Sequence, residues 1–244
     1  FLPSRLDVEG DLEVETRYRG IFEAPVYTSN LRLTGAFDKP DISGWVVEES
    51  NLQWEAAEIV FEITDARVIQ NAAALEWGER SIDFEPGLGR RAATRPGIRA
   101  PLGQPFDGEM AFSVDLSLQG SQAIRFAPLG RQSDVKLRAN WGDPSFQGAW
   151  LPRDSDVQPD SFTAEWSIPY LGRSYPEKWV GDGDIAKLNL SLFGVDLIAP
   201  VDAYRQTERS VKYAILFLAL TFTVIWLFEA LGRAHVHFIE YALI

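Results

Sequence analysis

The sequence has 244 residues, a formal net charge of −12 at pH 7, a hydrophobic fraction of 46% and no cysteine. That size and hydrophobic content allow one large or two small folded domains, while the negative charge argues against a nucleic-acid partner, since phosphate binding requires a basic surface. The absence of cysteine excludes disulfides and a cysteine nucleophile. Histidine occurs only at His235 and His237, which excludes a Ser-His-Asp hydrolase and a His-ligated zinc site within the first 234 residues. We therefore expect no cofactor and no metal.

Alternation of apolar and polar residues dominates the chain as far as about Pro200. In EMAFSVDLSLQG, for example, Met110, Phe112 and Val114 fall on one face of a strand, with polar side chains between them. The same pattern occurs in LEVETRYRG, NLRLTGAF, IVFEIT, SDVKLRANW, FTAEWSI and LNLSLFGVDL. The sequence therefore predicts a mainly β fold, with a β-sandwich-like domain over residues 1–200.

Two segments lack an element-building pattern and are predicted to be connectors. Pro86–Gly108 is rich in glycine and proline and predicts a long surface loop, and Leu151–Ser161 predicts a second connector. Before the first connector, Glu55–Glu58 allows a helical turn that would precede a strand at Ile59–Ile63.

Four arginines mark the first of these connectors. Arg90, Arg91, Arg95 and Arg99 fall within ten residues that contain no acidic side chain. Guanidinium groups and free backbone N–H groups suit a phosphate, an anionic lipid headgroup or an acidic glycan, so these four are candidate anion-binding residues. The alternative is a solvated loop, or one that pairs with acidic strands of its own domain.

The run NWGDPSFQGAW combines a strand end, an Asp-Pro turn and aromatic residues. Its candidate residues are Trp141, Pro144, Phe146 and Trp150. The rings could form a stacking platform for a sugar or a partner side chain. The interpretation that we favour is a tight corner packed into the core, with Gly142 and Gly148 supplying backbone freedom.

Carboxylates are numerous, 35 in all, so some pair will lie at the spacing of a glycoside hydrolase by chance. A carboxylate-dependent glycan hydrolase is therefore a third-rank hypothesis without nameable residues. Asp182 and Asp184 hint at calcium ligation, but the other positions of an EF-type loop are missing and a turn is favoured.

The composition changes after Pro200. Asp202 suits an N-cap, residues 201–210 predict a juxtamembrane helix, and residues 211–231 predict a transmembrane helix about 31 Å long. Apolar residues cover every side of this segment, whereas a buried core helix, the alternative, needs only one apolar face. Residues 236–244 predict the start of a second transmembrane helix.

Glu229 is the ionisable residue that we single out near the membrane. An ionisable group within a span marks a functional site by default, although Arg233 at i+4 makes an interfacial ion pair the favoured interpretation. Arg205, Arg209 and Lys212 flank the start of the span and Arg233 alone follows its end, so a count of positive charges would place the β domain in the cytoplasm.

Two long motifs resemble the CreD family of inner-membrane proteins. They are VDAYRQTERSVKYAILFLALTFTVIWLFEAL at the membrane boundary and DVKLRANWGDPSFQGAWLP within the domain. The resemblance implies that the chain is a fragment, with an N-terminal membrane helix and the first part of the domain missing upstream. It also implies a periplasmic β domain, which overrides the charge count, and further membrane helices downstream.

The resemblance implies a role in envelope integrity, and the family brings no established enzymatic activity. We therefore expect a non-enzymatic, multi-pass inner-membrane protein whose periplasmic domain binds or scaffolds. Its expected partners are membrane lipids and an envelope protein or glycan. The alternative is a sensor that binds an anionic lipid or glycan through residues 90–99.

Overall fold

The structure is a computed structural model that describes residues 1–20, 22–43, 53–63, 65–72, 74–87, 96–179, 181, 185–198 and 203–232. The chain divides into two units, Phe1–Ala199 and Pro200–Ile244. In chain order the strands are β1 Arg5–Arg19, β2 Phe22–Phe37, β3 Glu58–Glu62, β4 Ile69–Ala72, β5 Leu75–Trp77, β6 Arg80–Ile82, β7 Glu85–Pro86, β8 Gly97–Pro101, β9 Met110–Ser121, β10 Ala123–Phe126, β11 Gln132–Ala139, β12 Pro144–Gly148, β13 Asp154–Gln158, β14 Ser161–Pro169 and β15 Phe193–Leu197. The helices are α1 Ile185–Leu190 and α2 Ala203–Gly232.

A nine-stranded sheet forms the main layer of the first unit. Its strand order is β13-β14-β11-β1-β2-β9-β5-β6, with β4 pairing to β9 beside this path. Neighbouring strands pair antiparallel, except for β1 and β11, which are parallel from Arg5 opposite Gln132 to Leu12 opposite Ala139. The long hairpin of β1 and β2 thus lies in the middle of the sheet.

Two three-stranded sheets, β10-β15-β12 and β3-β8-β7, contribute to the same buried core. Phe146 of β12 packs edge-to-face on Phe162 and Trp166 of β14, with ring centroids 5.9 and 5.8 Å apart. Phe193 of β15 lies 5.7 Å from the same Trp166 ring. Such aromatic contacts across layers define the sandwich-like core.

The two faces of the main sheet differ as period-two patterning requires. The inward side chains of β11 are buried, whereas cross-strand ion pairs cover the other face. Arg32 donates two hydrogen bonds to Asp115, at 2.8 and 3.0 Å. The predicted mainly β, sandwich-like fold followed by a C-terminal apolar helix is confirmed.

The prediction that Pro86–Gly108 is one long loop is wrong. Within it, Gly97–Pro101 forms β8, which pairs with β3 on one side and β7 on the other. Ile98 and Ala100 are buried and alternate with Arg99. This short alternation was hidden among glycines and prolines, and long-range pairing makes it a strand.

Two further predictions need correction. Leu151–Ser161 is not a plain connector, because Asp154–Gln158 forms β13 and pairs with β14 through a two-residue turn. The first half of LNLSLFGVDL is not strand, because Ile185–Leu190 forms α1 and only Phe193–Leu197 forms β15. The alternation of leucines misled the prediction there. A 3-10 turn at Trp54–Ala56 precedes β3, close to where a helical turn was allowed.

Candidate functional site

Helix α2 is the feature of the second unit with the clearest chemical meaning. Ser210–Leu231 contains 22 residues with a mean hydropathy of 2.2, and none of its most apolar window is buried within the protein. Twenty-two residues of helix are about 33 Å long, which matches the hydrocarbon thickness of a bilayer. Large apolar side chains such as Leu216, Phe217 and Phe228 are more than 60% exposed.

Two hydroxyl groups inside this span are satisfied by the helix backbone itself. The Thr221 hydroxyl donates to the carbonyl of Phe217 at 2.8 Å, and the Thr223 hydroxyl donates to that of Ala219 at 2.7 Å. Back-bonding of this kind hides a hydroxyl from an apolar environment. The helix can therefore present a surface to lipid without an unpaired hydroxyl at these two positions.

The ends of the span bear on the remaining membrane predictions. Glu229 is half-buried in the last turns of α2. Arg233 and residues 236–244 lie outside the described residues, as do residues 201 and 202. The Glu229–Arg233 ion pair and the start of a second transmembrane helix therefore stay predictions.

The NWGDPSFQGAW run forms a corner at which chain segments approach closely. A Cβ on Gly142 would lie 1.9 Å from the carbonyl oxygen of Pro159, in the β13–β14 turn. Gly148 has φ +106°, and a Cβ there would lie 2.2 Å from the carbonyl oxygen of Leu192. Gly142 is thus required by close approach and Gly148 by backbone conformation as well.

The candidate aromatic residues of this corner contact the core to different degrees. The Phe146 ring packs on Phe162 and Trp166, and the Trp166 indole donates to the Trp150 carbonyl at 3.2 Å. The Trp141 indole donates to the carbonyl of Asp143 at 3.2 Å, and Pro144 opens β12 opposite Leu197. These contacts support the packed corner, and a stacking platform stays a prediction.

Asn140, in the same motif, has a structural role that the sequence did not reveal. Its side-chain oxygen accepts from the backbone N–H of Val14 at 2.6 Å, and its amide donates to the Val14 carbonyl at 3.3 Å. The side chain thus replaces the next peptide of β11 beyond the Leu12–Ala139 pair. This extends the parallel pairing of β1 by two hydrogen bonds.

Only one of the four candidate anion-binding arginines falls within the described residues. Arg99 lies on β8, where its guanidinium donates to Glu58 at 3.3 Å and to Glu85 at 2.8 Å. Its charge is thus compensated by the two flanking strands. Arg90, Arg91 and Arg95 lie outside the described residues, so an anion site at residues 90–95 stays a prediction.

In the described part of the chain, every carboxyl group with a shifted pKa has a lowered pKa, caused by a hydrogen bond from a cationic side chain. Hydrogen bonds from Arg67 lower the pKa of Asp65 to about 2, and one from Lys178 lowers the pKa of Asp41 below its usual range. Lys39 and Arg32 likewise lower the pKa of Asp107 and of Asp115. A glycan hydrolase needs one acid with a raised pKa, and these shifts run in the opposite direction.

Two surface cavities accompany these groups. The larger, of about 460 Å³, has Glu23, Arg125, Asp196 and Ile198 among its lining residues, and Arg125 donates to Asp196. The smaller, of about 260 Å³, lies between Trp54 and Phe106 and contains the Lys39–Asp107 ion pair. Among the described residues, no group of His, Cys, Asp and Glu is arranged to hold a metal ion.

The edge strand β13 was missed at the sequence level. Its five residues are all exposed and it pairs only with β14 in the described structure. The signal that could have found it is the pair Pro159–Asp160, whose residue types favour a turn and which has one apolar residue two positions away on each side, Val157 and Phe162.

Comparison with known proteins gives one extensive sequence match. The profile of a family described as "Inner membrane protein CreD" matches residues 1–244. A curated protein of that name from Escherichia coli (strain K12) is 32% identical over 246 residues, which is 100% of this chain and 54% of the relative. The chain thus spans about half the length of that relative.

Similarity to solved structures is weak. An M1 zinc metallopeptidase from Deinococcus radiodurans superimposes on 68% of this chain and 38% of its own, with a TM-score of 0.35 and 10% identity. The native yeast LTA4 hydrolase covers 81% of this chain and 30% of its own, with a TM-score of 0.33 and 10% identity. Scores this low do not establish a common fold.

Proposed function

Because the chain belongs to the CreD family of inner membrane proteins, we propose that it acts without enzymatic chemistry, as a membrane-anchored binding or scaffolding protein of the cell envelope. In this proposal the β domain lies in the periplasm and α2 crosses the inner membrane. The full-length protein crosses it several times. The domain supports envelope integrity by binding an envelope protein, a glycan or the lipid surface.

The observation that carries this proposal is the span Ser210–Leu231, whose most apolar window is entirely unburied. An apolar helix of this length would expose its side chains to water if the protein were soluble. A lipid bilayer removes that cost, at about 25 cal/mol per Å² of apolar surface. The absence of cysteine from the whole chain suits an exported domain, since there is no thiol to oxidise.

The orientation is tested by single-cysteine labelling, for which the cysteine-free chain is the natural background. Asp156→Cys places a thiol on an exposed strand of the domain, and Ala234→Cys places one beyond the far end of α2. In right-side-out inner-membrane vesicles we expect a membrane-impermeant maleimide to label the first variant at once, and the second only after permeabilisation. The reverse order would place the domain in the cytoplasm and overturn the proposal.

A second proposal gives an anion-binding role to residues 88–95, between β7 and β8. The N–H of Gly87 donates to the carbonyl of Gly97 at 2.9 Å, so β7 and β8 hold the two ends of residues 88–95 together. That segment carries Arg90, Arg91 and Arg95 and no acidic residue. Three guanidinium groups within six residues of sequence suit an anionic lipid headgroup or an acidic glycan.

The role of residues 88–95 is tested with vesicles that contain anionic phospholipid. Changing Arg90, Arg91 and Arg95 together to glutamine should weaken the salt-dependent binding of the protein to these vesicles, because the proposed attraction between the three guanidinium groups and the lipid anions is removed. Arg99→Gln is the matched control, since Glu58 and Glu85 already engage that arginine. Equal binding by the triple variant and the parent protein would remove residues 88–95 as a recognition element.

A further inference from the structure

The two edge strands of the nine-stranded sheet, β6 and β13, differ in length and in exposure. At one edge, β6 is only three residues long, Ile82 is buried, and the Arg80 guanidinium donates to the carbonyl of Leu102 at 3.2 Å. At the other edge, β13 is five residues long and every one of them is exposed. A strand of this kind presents a row of unpaired backbone groups to solvent.

The pairing register identifies the backbone groups that face outward. Gln158 pairs with Ser161 across the two-residue turn, so the backbones of these two residues exchange hydrogen bonds. Every second residue pair beyond this one does the same, as in any antiparallel ladder. The backbones of Asp154, Asp156 and Gln158 therefore point towards β14. The N–H and C=O groups of Ser155 and Val157 point away from the sheet, in position to pair with an added strand.

The side chains of β13 give its two faces opposite characters. Val157 is opposite Phe162, which is buried, so it extends the core-facing side of the sheet, yet it remains 46% exposed. Asp154 and Asp156 lie on the other face, opposite Glu165 and Thr163. Protected edges usually carry an inward-pointing charge or a proline. On its inward face β13 has neither.

The charge of the edge selects the kind of strand that fits. Within the described residues, Asp154 and Asp156 make no ion pair, and Asp156 accepts only from the amide of Gln158, at 2.8 Å. A second copy of β13 added antiparallel would bring acidic side chains together, which is destabilising. A strand with lysine or arginine on this face would be stabilised instead.

We propose that the β13 edge is a docking site for an extended segment of a partner protein, which adds a tenth strand to the main sheet. The segment carries lysine or arginine opposite Asp154 and Asp156, and apolar residues at the alternate positions, opposite Ser155 and Val157. This inference rests on the proposed binding role of the β domain and gives that role a surface and a partner chemistry.

The direct test measures peptide binding by the full 244-residue chain in detergent micelles. The probes are the peptides TKVKVKT and TEVEVET with blocked termini, and isothermal titration calorimetry measures their binding. We expect TKVKVKT to bind and TEVEVET not to bind. N-methylation of alternate amides in TKVKVKT should abolish binding, because it blocks strand addition and leaves the protein untouched. Equal binding of the methylated peptide would show charge attraction alone and overturn the proposal.

Variants of the protein locate the site. Asp156→Lys should weaken TKVKVKT binding about fivefold, since an attractive cross-strand pair becomes repulsive. Glu13→Lys makes the same charge change on the exposed side of the central strand β1 and should leave binding unchanged. Val157→Pro should weaken binding more strongly, because it removes an outward N–H. An equal loss with Glu13→Lys would overturn the site.

Failure of this inference is distinguishable from failure of the proposed function. Peptide binding is measured in detergent micelles and does not depend on the side of the membrane on which the domain lies. A correctly oriented domain that binds neither peptide would contradict only the docking site.

Discussion

The two units of this chain treat apolar side chains in opposite ways. In the β domain, Leu137 and Phe193 are completely buried and charged pairs such as Arg32–Asp115 cover the outer face of the sheet. In α2, exposed apolar side chains cover the whole circumference, as the four successive residues Ile215, Leu216, Phe217 and Leu218 show. This difference is the one expected of a chain built for two solvents, with water around the domain and, as we propose, lipid around the helix.

The largest contrast should come from the same substitution made in each unit. Leu137→Ala removes a completely buried side chain in β11, and we expect the free energy of unfolding of the β domain to fall by about 2–5 kcal/mol. Leu220→Ala in α2 should leave that unfolding transition unchanged, because Leu220 is 58% exposed and outside the core. Urea denaturation followed by tryptophan fluorescence measures both.

A second contrast concerns charge. Leu220→Arg puts a cation near the middle of the span, which should disfavour membrane insertion by about 3 kcal/mol. The matched change Leu171→Arg falls on a leucine of the domain that is 80% exposed, and should have no effect on insertion. Resistance of each variant to alkaline extraction from membranes reports the inserted fraction. An unaffected Leu220→Arg variant would argue against a lipid-facing helix.

The smallest expected effect concerns a polar group within the domain. The Tyr27 hydroxyl donates to the carbonyl of Ala123 at 2.8 Å, and burial raises the pKa of Tyr27 to about 12. Tyr27→Phe should lower the free energy of unfolding by about 1 kcal/mol at neutral pH, since that carbonyl loses its donor.

The pH dependence of the same variant gives a second readout. Because the pKa of Tyr27 is raised above its ordinary value of 10, the stability that the neutral hydroxyl supplies is present below pH 10 and is lost between pH 10 and 12. Tyr27→Phe should therefore lose less stability than the parent protein over that interval. Parallel curves of unfolding free energy against pH would contradict this assignment.

The sequence predicted those elements whose physics is local. Strands β9, β11 and β14 alternate strictly because one of their faces is buried, and α2 is apolar on every side. Strand β13 escaped prediction because all its residues are exposed, so no burial pattern was imposed on its side chains. Strand β8 escaped because part of its pairing is with β3, a strand distant in sequence.

The functional features divide in the same way. The candidate membrane span is visible in the composition of Ser210–Leu231. The engagement of Arg99 is not, because its carboxylate partners Glu58 and Glu85 lie 41 and 14 residues away along the chain. The outward backbone groups of Ser155 and Val157 follow only from the register of the β13–β14 hairpin.

The central claim, that the domain is in water while α2 is in lipid, is tested most directly by spin-label accessibility in a reconstituted bilayer. Nitroxides are attached at Leu220→Cys and, as the matched site, at Val157→Cys, both in the cysteine-free chain. We predict that the label at position 220 is relaxed by oxygen and shielded from a water-soluble nickel chelate, and that the label at position 157 is accessible to the chelate. Equal access of the chelate to both positions would contradict the account.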